Sequence, residues 1–164
     1  MFEAILNIIF SEEVREFFNC KEIVWGMRLF AAAVFGLLLG TERALNDKPA
    51  SFRTFSLVSC ASCIFSILSV DSITMSTIAD PTRVAAQVVS GVGFIGTGII
   101  FKQGGNVEGI TTAVMVWYAA ALGMLCGFGE ILFGGISLLI YTFILTFGSF
   151  LHRMMKGPKV IDND

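Results

Sequence analysis

From Ile131 to Leu151 the chain reads ILFGGISLLIYTFILTFGSFL, twenty-one residues without a charge. Wound as a helix at 1.5 Å per residue, that run is about 31 Å long, the thickness of a bilayer's hydrocarbon core. The rest of the 164-residue chain offers little polar shell to enclose it. Only 15% of its residues are charged, 55% are hydrophobic and the mean hydropathy is +0.79, against roughly 25% charged in soluble domains. Lipid is therefore the expected solvent. The 11 Lys and Arg against 13 Asp and Glu leave a formal charge of -2, without the basic excess that a nucleic-acid surface needs.

Four further apolar blocks precede that run, at residues 23 to 41, 55 to 70, 84 to 101 and 110 to 126. No alternating ten-residue strand pattern appears, so helices are the expected spanning form. The reading is an all-α, polytopic transmembrane helical bundle of about five spans. Residues 1 to 22 form an amphipathic N-terminal segment, 23 to 151 the transmembrane domain, and 152 to 164 a basic and polar tail. The second and fourth blocks are shorter and richer in Ser, Thr, Cys and Ala, which suits helices enclosed by other helices. Five acids against Arg15 and Lys21 in the first 22 residues are the reverse of a positive signal-peptide n-region, so this segment is expected to stay attached. The four cysteines lie mostly inside apolar blocks, which argues against a disulfide framework.

Lys and Arg in the connections give an orientation. Arg43, Lys48, Arg53, Lys102, Arg153, Lys156 and Lys159 fall on one side, and Arg15, Lys21 and Arg83 on the other. Seven against three places the tail in the cytoplasm and the N-terminus outside. A weak internal repeat also shows. Arg28 is followed eight residues later by Gly36 and soon by Gly40-Thr41, as Arg83 is followed eight residues later by Gly91 and soon by Gly96-Thr97, so spans 1-2 and 3-4 can be parallel copies.

The third block carries the most information. Gly91, Gly93, Gly96 and Gly98 crowd into eight residues. The Gly-x-Gly-x-x-Gly string here lacks the strand, soluble helix and later acid of a dinucleotide site. In a membrane, clustered glycines mean either close approach of helix backbones or a break that exposes backbone to a cavity. Arg83, Gln87, Ser90 and Gly91 share one helix face, a polar stripe expected to point into the bundle.

Arg28 sits inside the first block, where an isolated charge costs about 2.5 to 3.5 kcal/mol. It is expected either to snorkel to the headgroups or to find Asp71 or Asp80. Glu42, Arg43, Lys48 and Arg53 form a dense inner loop, either an ordinary solvated one or a charge cluster at the mouth of the bundle, with Glu108 available to face Arg53. Gly104-Gly105 is read as a turn, and Thr111 or Thr112 as the cap of the fourth span. Cys60-x-x-Cys63 is read as helix packing, His152 as an interfacial anchor, Trp25 as part of an aromatic belt, and Trp117 and Tyr118 as buried packing. No nucleophile with a neighbouring base and no metal-ligand set can be assembled, so neither an enzyme nor a bound cofactor is expected.

Four blocks in order resemble the signatures of the MgtC/SapB (YhiD-like) family of bacterial inner-membrane proteins. They are Gly40-Thr-Glu-Arg43, Lys48-Pro-Ala-Ser-Phe-Arg-Thr54, the run from Asp80 to Gly98, and Gly109-Ile-Thr-Thr-Ala113 with Trp117. The resemblance covers residues 28 to about 129. Ser51 stands where the family usually has glycine and Thr97 where alanine is common. The soluble cytoplasmic domain frequent in the family is not expected here, since the residues end soon after the fifth span.

The resemblance implies a plasma-membrane protein tied to low magnesium, acid or life inside a host. For virulence-associated members it implies restraint of the proton-driven ATP synthase. The family motifs fall on Glu42, Arg43, Lys48, Arg53, Asp80, Arg83, Gln87, Gly91, Gly93, Gly96, Thr111 and Thr112. The expected function is a non-enzymatic regulator that binds other membrane proteins and assembles as a homo-oligomer through small-residue faces. The alternative is a transporter or channel for magnesium or another ion, with Asp80, Arg83 and Gln87 lining a vestibule.

Overall fold

The computed structural model describes residues 20–45, 50–75, 80, 82–103 and 106–155. The amphipathic segment, apart from its last three residues, and most of the expected tail lie outside them, as do Lys48 and the Gly104-Gly105 turn. Among the described residues five helices follow one another: α1 Lys21–Leu45, α2 Phe52–Met75, α3 Thr82–Ile99, α4 Ile110–Phe128 and α5 Ile131–Met155. Between α3 and α4 a short antiparallel hairpin pairs β1 Phe101–Gln103 with β2 Asn106–Glu108, in the register Phe101 opposite Glu108. The chain is the all-α membrane bundle that its hydropathy calls for.

Four of the five helices, α1, α2, α4 and α5, are long and apolar enough to cross a membrane. The third block is the exception to the expected five spans. Its helix has 18 residues, about 27 Å, and Arg83, Gln87, Ser90 and four glycines dilute its apolar content. The other helices outrun their hydrophobic blocks. Helix α1 continues through Glu42 and Arg43, which sequence reading places in a loop, and α5 runs past residue 151 to Met155. Hydrogen bonding inside the helix satisfies the backbone beyond the apolar run, so hydropathy alone understates helix length.

Small residues decide which helices touch. A methyl group added at Gly36 would sit 2.5 Å from Ser56 Cα, and one at Gly127 would sit 2.6 Å from Cys63 O. The α1–α2 and α2–α4 backbones therefore meet with no side chain between them. Along α2, Ser59, Ser62, Ser66 and Ser69 are all buried in this seam. Ser66 Oγ donates to Ser62 O at 2.9 Å and Ser56 Oγ to Ala33 O at 3.3 Å. A serine hydroxyl that bonds a carbonyl on its own or the facing helix can be buried at little cost.

Helix α4 is the most enclosed of the spans and α2 the next, whereas α5 is open along most of its length. This is the ranking that the Ser-, Cys- and Ala-rich composition of α2 and α4 implies. Phe55, Met115, Val116, Ala119 and Leu122 form the main core, and Ala32, Cys63, Ile67 and Cys126 a second one. Helix α5 joins through Tyr118, which stacks on Tyr141 at 4.3 Å and hydrogen-bonds Ser137. Trp117, expected to be buried, is half exposed. It stands one residue, or 100° of helix, from the buried Val116.

Glycine closes both ends of α4. Gly109 (φ 87°) precedes it and Gly129 (φ 94°) follows, where the N–H of Gly129 reaches Cys126 O at 3.0 Å and that of Glu130 reaches Leu125 O at 2.8 Å. This is a Schellman end. Because the helix opens at Ile110, Thr111 and Thr112 lie inside its first turn and neither side chain caps it. The sequence repeat is not matched in packing. Gly36 presses on the α2 backbone, while its counterpart Gly91 has no atom within 4 Å of an added methyl.

Candidate functional site: the outward face of α3 and the Arg28 clamp

Helix α3 lies at the edge of the bundle. Its buried row is Val88, Val92 and Gly96, four residues apart, seated against α4 where a methyl added at Gly96 would stand 3.8 Å from the Ala113 methyl. That row fixes the rotation of the helix, because burying valines is worth more than turning the opposite face inward. The polar stripe is consequently outward: Arg83, Gln87, Ser90 and Gly91 are all exposed. This reverses the expectation that they point into the bundle.

The helix is continuous over Thr82–Ile99, so the glycines do not break it. Gly91, Gly93 and Gly98 would each accept a methyl with nothing inside 4 Å. Within one chain they are not close-packing glycines either, and only Gly96 faces a neighbour. Between α2 and α3 an apolar groove of about 600 Å³ remains, with Leu57, Phe65, Gln87 and Gly91 among its walls.

Asp80 stands at the start of α3. Its Oδ1 accepts the Thr82 backbone N–H at 2.9 Å and the Thr82 hydroxyl at 2.7 Å. Thr82, with Arg83 adding to it, holds the Asp80 carboxyl below its ordinary value. The contribution of this cap is present above the ordinary aspartate range and is lost as pH falls through the lowered value. Asp80→Ala is expected to fray the first turn of α3 at neutral pH, seen as faster amide exchange at residues 82 to 86. Acidification of the wild type should approach the same state only below the ordinary aspartate range.

Arg28 takes neither expected acid. Its Nη1 donates to Gly127 O at 2.9 Å, and its guanidinium fills the space beside Gly129, 3.0 Å from where a methyl would stand. A cation at the last carbonyls of α4 is favoured by the helix dipole. Asp71 pairs instead with Lys21, whose ammonium lies 4.7 Å from the Trp25 ring centre. The spacing of Lys21, Trp25 and Arg28, at i, i+4 and i+7, shows that they share a face, but the partner of each depends on where α2 and α4 end.

Of the residues expected in an inner cluster, Arg43, Arg53 and Glu108 have described side chains. Arg53 is exposed with its guanidinium 5.9 Å from the Phe52 ring and does not meet Glu108, which is exposed at the end of β2. Arg43 is half buried and engaged in the last turn of α1. Glu42 is helical, with its side chain outside the described residues. Thr112 is buried and Thr111 exposed. The buried serine row of α2 was legible as a spacing of three and four residues, a signal that composition alone hides.

Comparison with known proteins agrees with these motifs. The family model described as MgtC family matches residues 29–154. Protein MgtC of Salmonella typhimurium is 42% identical over 105 residues, covering 63% of this chain and 43% of that protein. Protein MgtC of Brucella abortus is 47% identical over 107 residues, covering 63% of this chain and 42% of that protein. The match thus spans less than half the length of these relatives. No solved structure matches the chain. With the family model covering all five helices almost from end to end, the chain belongs to the MgtC family.

Proposed function

We propose that this chain is a non-enzymatic regulator of membrane physiology that works by binding other membrane proteins, with the outward face of α3 as its contact surface. The observation that carries this reading is the exposure of Gln87, Ser90 and Gly91 on a helix at the edge of a membrane bundle. Polar side chains and bare backbone facing acyl chains are costly, and a facing helix relieves both. The surface serves a second copy or a different membrane protein, and the ATP synthase is the partner class that the family resemblance favours. The protein resides in the bacterial inner membrane with its C-terminus cytoplasmic, in keeping with the excess of Lys and Arg on that side. Magnesium and acid stress are the conditions for which the same resemblance argues.

The ion-transport alternative is less well supported. A broken third helix and a vestibule lined by Asp80, Arg83 and Gln87 are its requirements, whereas α3 is continuous and Asp80 bonds Thr82. Two measurements separate the readings. Proteoliposomes of the purified chain should show no magnesium or proton flux above empty liposomes. Inverted membrane vesicles containing the chain should show ATP-driven proton pumping reduced at least two-fold, and Gln87→Leu should restore it. Flux abolished by Asp80→Asn or Arg83→Ala would establish the transporter and end the regulator reading.

A further inference from the structure

We propose that the crevice between the start of α1 and the end of α2 is a binding site for a single phosphodiester, the headgroup phosphate of a membrane phospholipid. The crevice has a volume of about 340 Å³, and Lys21, Trp25, Arg28 and Asp71 supply its polar walls. Glu22 and Glu130 lie outside its lining. Asp71 is ion-paired with Lys21, and Arg28 is hydrogen-bonded to the Gly127 carbonyl. The lining carries one net positive charge, which matches a phosphodiester and not a dianionic monoester.

Arg28 has the donors to spare. One N–H goes to Gly127 O, and a guanidinium presents five in a planar fork that fits two phosphate oxygens at once. Its depth selects the lipid as the source. Arg28 is seven residues along α1 from Lys21, about 10 Å below the helix start, and Trp25 between them suits the headgroup zone. Trp25 and Ile67 also wall a second groove of about 200 Å³, apolar throughout, with Leu29, Ile64 and Leu68. A headgroup held at Arg28 therefore has an apolar groove beside it for a chain.

The test uses the full chain in an uncharged maltoside detergent, carrying Trp117→Phe so that Trp25 is the one indole. Diheptanoylphosphatidylglycerol is expected to give a saturable change in Trp25 fluorescence. Arg28→Gln should weaken it at least ten-fold. Lys21→Gln, which leaves the Arg28–Gly127 bond in place, should weaken it several-fold and keeps the test decisive if the Arg28 variant does not fold. Diheptanoylphosphatidylcholine, with the same phosphodiester but no net charge, should bind more weakly, and inorganic phosphate should give no response over the same range. The absence of a saturable response in the parent protein, or an unchanged curve in Lys21→Gln, overturns the site. Equal binding of phosphatidylcholine overturns the charge match, and equal binding of inorganic phosphate overturns the lipid source.

Discussion

Gly123→Ala is expected to keep α2 and α4 from closing on each other, at a cost of about 3 kcal/mol or more. The added methyl would overlap the carbonyl oxygen of Ser59 and approach Ser59 Cα to 2.9 Å. These are backbone atoms in the middle of a helix, so no rotamer change relieves the clash, and the two helices must separate. The loss spreads because this seam carries the buried serines and adjoins Met115, Val116 and Leu122 of the main core.

Gly93→Ala and Gly98→Ala are the controls. Both positions are open, so these changes should be neutral or stabilising by up to about 1 kcal/mol through helix propensity. Unfolding in mixed micelles with rising dodecyl sulfate, followed by circular dichroism, reads all three variants. Similar midpoints for Gly123→Ala and Gly93→Ala would mean that the packed and open faces are wrongly assigned.

Gly109 and Gly129 bracket α4 with nearly the same dihedral, yet substitutions at the two should differ widely. At φ 87° an L-residue at Gly109 costs roughly 1–2 kcal/mol for the left-handed backbone. Its methyl would also strike the Ile99 carbonyl oxygen and stand 3.1 Å from Ile99 C. Asparagine tolerates the left-handed region better than alanine, but it brings the same Cβ. Gly109→Asn is therefore expected to remain severe, with the end of α3 and the hairpin pushed away from α4.

At Gly129 the nearest atoms belong to the flexible end of Arg28, at 3.0 Å. Gly129→Asn should cost at most about 1 kcal/mol, and Gly129→Ala somewhat more. The same unfolding titration gives the ranking, and limited proteolysis near residues 100 to 108 reports the hairpin specifically. Rescue of Gly109 by asparagine would show that the dihedral alone, and not the approach of Ile99, demands glycine there.

Much of the architecture was written in local patterns. Uncharged runs placed the helices, and the Ser, Thr, Cys and Ala content of α2 and α4 foretold their enclosure. Gly129 stops α4 where glycine C-caps stop helices in general. The site was less legible. Arg83, Gln87 and Ser90 were correctly placed on one face, but a stripe says only that residues point the same way. The Val88, Val92 and Gly96 row on the other side of α3 was equally regular. Which of the two faced inward depended on α4 offering Ala113 and its apolar neighbours.

The amino-acid order by itself determined that this chain lives in lipid, where its helices lie and to which family it belongs, because hydropathy and motif spacing act within a few turns of one chain segment. Tertiary structure alone decided that Gly91, Gly93 and Gly98 of α3 are open while Gly36, Gly123 and Gly127 are closed, and that Arg28 clamps a helix end while Lys21 takes Asp71. Those outcomes depend on the distance between helices far apart in the chain. Two backbones meet this closely where a glycine on one helix stands at the height of a small residue on the other, and that coincidence is not visible along either helix alone.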